Sequence, residues 1–74
     1  MSQAQVIQNL LLKGNEVSYR SLEVSERINH VRKPLKQAIL ALKRAGFDII
    51  ADGLNRINPN TGVPYKIWKI KFKD

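Results

Sequence analysis

"HVRKPLKQAILALKRAGFDI", residues 30–49, decides the fold. At 100° per residue, Leu35, Ala38, Ile39 and Leu42 fall within one arc, and Lys33, Lys36, Gln37, Leu40, Lys43 and Arg44 fall on the opposite one. The pattern predicts a helix with one apolar and one cationic face. Pro34 suits the first turn, where its missing N–H is no loss. Gly46 suits the position after the last turn, and Lys43 and Arg44 complement the negative end of the helix dipole. Leu40 is out of step with the core arc and is expected to lie exposed.

Upstream, Ser2 with Gln5 three residues later has the form of a capping box, and Ile7, Leu10 and Leu11 repeat at helical spacing up to Gly14. "EVSY", residues 16–19, reads as a short extended link with Val17 facing in. A second helix is expected over about Arg20 to Asn29, capped by Ser18 or Ser21, with Val24 and Ile28 on its inner side. Asn29-His30 reads as the tight turn that follows, because asparagine tolerates the left-handed conformation.

Downstream, the period falls to two. Phe47, Ile49 and Ala51 alternate with Asp48, Ile50 and Asp52, and Trp68, Ile70 and Phe72 alternate with Ile67, Lys69, Lys71 and Lys73. Between them "DGLNRINPNTGVPY", residues 52–65, has turn chemistry and predicts a long loop. The expected class is α+β: one domain over residues 1–74, with a helix-turn-helix at about 20–45 and a hairpin at about 47–72. Three helices closed by a C-terminal β-hairpin wing make a winged helix.

Composition sets the functional bounds. The chain has 74 residues and no cysteine, so its core must hold without disulfides or thiolate metal sites. No apolar run approaches a membrane span, and residues 1–12 lack the basic leading region of a secretory signal; a cytoplasmic protein is expected. The formal charge is +7. Residues 1–31 carry three cations against three anions, and residues 32–74 carry ten against three, so the whole excess lies in the second part. That segregation points to a polyanionic partner. Enzymatic chemistry finds no foothold: the one histidine, His30, sits in a turn, and no nucleophile has a base spaced to activate it. No cofactor, metal set or catalytic residue is expected.

"LEVSERINHVRKPLKQAILALKRAGFDI", residues 22–49, resembles the helix-turn-helix of the N-terminal winged-helix domain of biotin-ligase repressors. The resemblance lies in Leu35, Ile39 and Leu42 on the third helix, in the Gly46-Phe47-Asp48-Ile49 step into the wing, and in Trp68 and Ile70 of "YKIWKIKF". It implies a winged-helix fold and DNA binding. Val31 stands where that family often has a Ser or Thr cap, Asn29 stands where its turn usually has glycine, and no ligase domain follows in the sequence. The resemblance therefore implies no biotin chemistry.

In a DNA-binding winged helix, the third helix enters the major groove. The residues expected at DNA are Arg32, Lys33, Lys36 and Gln37 near the groove floor, Lys43 and Arg44 at phosphates, and Arg56 and Lys66 on the wing. Arg32 suits a guanine edge and Gln37 an adenine edge. A lysine-rich helix face is otherwise an ordinary solvated one. Lys69 and Lys71 either extend the phosphate track or, like Lys73, keep a strand edge from aggregating. Tyr19 and Tyr65 either stack on bases or sugars or, as is commoner for tyrosine, are half-buried with a wet hydroxyl, and Trp68 is expected to be core.

The leading expectation is a small DNA-binding protein, a transcription regulator or a phage- or plasmid-type accessory factor, working on double-stranded DNA with a homodimer mate or partner protein. The alternative is a winged-helix protein–protein interaction module that docks on an acidic protein through Leu40, Ile50 or Leu54. RNA ranks third.

Overall fold

The computed structural model describes residues 2–72, and for residues 52–55 the backbone. The expectations for Lys73 and for the side chain of Leu54 lie outside the described residues. Helix α1 spans Gln3–Leu12, α2 Tyr19–Val24 and α3 Arg32–Arg44, followed by strands β1, Asp48–Ile57, and β2, Pro64–Lys71. The class is α+β.

The helix ends follow from the sequence. Ser2 and Gln5 cap α1 reciprocally, and Ser18 and Ser21 do the same for α2, so both serines singled out there share one device. At the end of α3, Gly46 has φ +97°. Its N–H donates to the Lys43 carbonyl and the Phe47 N–H to the Leu42 carbonyl, both at 3.0 Å, closing a Schellman motif.

The second helix is shorter than expected. It stops at Val24, the Ser25 N–H donates to the Ser21 carbonyl, and the Ile28 N–H reaches back to the Leu22 carbonyl at 3.0 Å. The inner residue of α2 is therefore Leu22, fully buried, whereas Val24 is 66% exposed, and Ile28 enters the core from the following loop. The left-handed residues in that loop are Arg27 and His30 rather than Asn29. Ile28 and Val31 must both turn inward, and the chain bends at the residues that precede each of them.

The sheet also departs from expectation. The strands run on through much of the turn-rich stretch, leaving residues 58–63 as the tip, and an irregularity between Asp52 and Arg56 absorbs the mismatch. The Asn58 side-chain oxygen accepts from the Asn60 N–H, and the Gly62 N–H donates to the Asn58 carbonyl, which tightens the tip. β1 pairs antiparallel with β2, for example Ile49 with Ile70 and Ala51 with Trp68. On the other edge of β2, Val17 and Trp68 exchange two 2.8 Å backbone hydrogen bonds. The link at residues 16–19 is thus a third strand position, one bridge long.

One apolar cluster joins all these elements. Ile7 and Leu11 of α1 meet Leu35, Ala38 and Leu42 of α3, with Leu22, Ile28 and Val31 from the α2 region and Val17, Trp68 and Ile70 from the sheet. Phe72, expected on the apolar strand face, lies past the end of β2 and is 50% exposed. Ile67 is buried although it alternates with Trp68 and lies on the other face of β2. The radius of gyration is 12.2 Å, slightly above the roughly 11 Å of a compact chain this long. No helix among the described residues is long and apolar enough to cross a membrane.

Candidate nucleic-acid interface

Burying Leu35, Ala38 and Leu42 against α1 fixes the rotation of α3, so its other face must point outward. Arg32, Lys33, Lys36, Gln37, Lys43 and Arg44 are all exposed on that face, and Leu40 among them is 48% exposed, as expected. Among the described residues, none of these five cations has an ion-pair partner. The face is about 20 Å long, at 1.5 Å of rise per residue. No side chain caps the start of α3, because the N-cap residue is Val31 and Val31 is core. The partial positive charge of that helix end adds to Arg32 and Lys33.

The two wing cations have different surroundings. Lys66 is exposed, and its ammonium lies 5.4 Å from the centre of the Trp68 ring. Arg56 is held: its Nε donates to Oε1 of Glu16 at 2.9 Å, and its Nη2 bonds the other carboxylate oxygen. This bidentate pair ties the hairpin to the segment before Val17. Arg56 is therefore a brace in the folded chain, with its charge committed to Glu16.

In the structure, the Arg32 guanidinium stands 5.3 Å from the Tyr19 ring centre, and the Tyr19 ring meets Trp68 edge-on at 5.0 Å and 62°. A cation–ring–ring–cation row thus runs from Arg32 through Tyr19 and Trp68 to Lys66, joining the start of α3 to β2. Each cation–π contact contributes about 0.5–1 kcal/mol at exposed sites. The row links Arg32 to Lys66 through the two rings. Beside it, Tyr19, Arg32, Leu35, Lys36, Ile39 and Trp68 line a shallow groove of ≈ 280 Å³.

A larger groove, ≈ 510 Å³, lies between α2 and the hairpin tip, with Arg20, Tyr65 and Lys66 among its walls. The sequence held no sign of it, since it depends on the bridge between Val17 and Trp68. Tyr65, expected to be half-buried, is 40% exposed there. Lys43 and Arg44 occupy the last turn of α3, at the opposite end from Arg32 and the aromatic row. Lys69 is half-buried on β2 and Lys71 exposed at its end. Among the described residues, no three His, Asp or Glu side chains gather where a metal ion would sit. No protein-family model, curated protein or solved structure matches this chain.

Proposed function

We propose that the chain is a winged helix that binds double-stranded DNA by laying the outer face of α3 in the major groove. The observation that carries this reading is that face: five cations and a glutamine, all exposed, with no acidic partner among the described residues. A major groove about 12 Å wide admits a helix. In this reading Arg32, Lys33, Lys36 and Gln37 approach base edges, Lys43 and Arg44 contact phosphates, and Lys66 reaches the backbone from the hairpin. The aromatic row then links Arg32 to Lys66, so that helix and hairpin meet one strand together. The resemblance of residues 22–49 to biotin-ligase repressors supports the same reading, as does the confinement of the net charge to residues 32–74. A role in transcription regulation, or as a phage or plasmid accessory factor, follows from a small domain of this kind.

The test is the double variant Arg32→Ala with Lys36→Glu. Both side chains are exposed, so the fold should survive, as judged by circular dichroism. Duplex affinity should fall at least about tenfold, the equivalent of roughly 1.4 kcal/mol. Wild-type affinity in a folded double variant would remove α3 from the interface. Exposed apolar side chains at the hairpin end, Ile57 at 61% and Val63 at 59%, favour a second reading in which the domain docks on an acidic protein. Failure to bind duplex at low salt would select it.

A further inference from the structure

The groove between α2 and the hairpin tip arises from the way the third strand position ends. Continued from Val17–Trp68, the antiparallel register would set Tyr19 opposite Lys66 and Arg20 opposite Tyr65. Pairing stops instead, because Ser18 caps α2 and the chain turns into helix. α2 diverges from β2, and the gap opens into the ≈ 510 Å³ groove, within the size range of small-ligand sites, about 300–1,000 Å³.

The lining is chemically selective. Arg20 and Lys66 supply positive charge, Tyr19 and Tyr65 supply rings, Asn58 and Asn60 supply amides, and among the described residues no carboxylate lines the groove. Tyr65 and Val24 leave apolar surface exposed to it. Cations beside flat rings and amide groups suit an anion with a planar body, which is the chemistry of a nucleotide. The position agrees. Tyr19 lines both this groove and the smaller one beside Arg32 and Lys36, so the two grooves adjoin at the start of α3.

We propose that this groove holds an unpaired nucleotide at the end of a bound duplex, its base against the Tyr65 ring and its phosphate between Arg20 and Lys66. The proposal rests on the duplex-binding reading above and extends it from blunt duplex to a junction of double and single strand. A protein that prefers such a junction engages DNA at ends, gaps or opened segments.

The experiment compares a blunt random-sequence duplex with the same duplex carrying a short thymidine overhang, on the 5′ side or the 3′ side, by fluorescence anisotropy. With the wild-type chain, one polarity of overhang should tighten binding at least about fivefold, the lower end of what stacking one base contributes. Tyr65→Ala should abolish that gain and leave blunt-duplex affinity unchanged, whereas Tyr65→Phe should keep it. Arg20→Ala, on the exposed side of α2, should reduce the gain and gives the same comparison if Tyr65→Ala proves unfolded. An absent gain, or a gain that survives in folded Tyr65→Ala, overturns the proposal. Blunt-duplex binding separates the two claims: its loss in the wild-type chain counts against α3, and its presence without an overhang gain counts against the groove.

Discussion

Gly46 shows how one residue holds an element in place. Its φ of +97° lets the chain leave α3 and enter β1 across three residues, and a side chain there would meet nothing within 4 Å. The cost of Gly46→Ala is therefore backbone strain with no clash, about 1–2 kcal/mol, and chemical denaturation should show it as a lower midpoint at unchanged slope. Gly46 was legible because a glycine after a clear helical stripe has few other uses. The left-handed residues before α3 were not: local preference favours Asn29, but His30 takes the conformation because Val31, next in line, has to reach the core. Burial overrides the preference of a single residue. Glu16 is the other informative position. Glu16→Gln breaks an ion pair whose side chains are 45% and 31% exposed, so stability should fall by less than about 1 kcal/mol. The same change removes an anion and releases Arg56, so duplex affinity should rise. A fall in affinity would show that the brace itself is needed for binding.

At the scale of elements, α1 and α3 could be read from the sequence because their apolar stripes are long and periodic. α2 could not be bounded. Six residues make a helix too short to stand without its neighbours, and it is kept by its capping pair and by Leu22. Ser18→Ala removes the oxygen that accepts from the Ser21 N–H at 3.1 Å. It should cost about 1 kcal/mol, and hydrogen exchange should show lost protection in residues 21–25 before the rest of the core. Equal loss everywhere would mean that α2 has no local stability of its own. The hairpin departs from expectation for a different reason. Its Asn, Gly and Pro content signalled turns, but the irregularity between Asp52 and Arg56 lets part of that stretch stay in β1, and the true tip is six residues, 58–63. The bridge from Val17 to Trp68 joins residues far apart in sequence, and no local pattern encodes it. Both grooves depend on that bridge, which is why the cations were legible and the aromatic row between them was not.

Over the whole molecule, the folding of one chain sorts charge in space as the sequence sorts it along its length. The helices bury their apolar faces against one another and the sheet, and α3 has no choice but to turn its cations outward. Lys66 joins that field from β2 by way of Trp68, while Arg56 leaves it to pair with Glu16. A surface of this kind binds a polyanion by releasing counterions, and the number of phosphates neutralised is written in the salt dependence. The account's central claim is that the outer face of α3 meets the DNA backbone and bases. Anisotropy of a labelled random-sequence duplex, titrated across a salt series with the wild-type chain and with Arg32→Ala/Lys36→Glu, tests it most directly. With three to five phosphates contacted, log affinity against log salt should fall with a slope of about −3 to −4.5 for the wild-type chain. The double variant, which replaces two cations placed at base edges, should bind more weakly at every salt concentration. Identical affinities for the two proteins, or no duplex binding at low salt, would contradict the account.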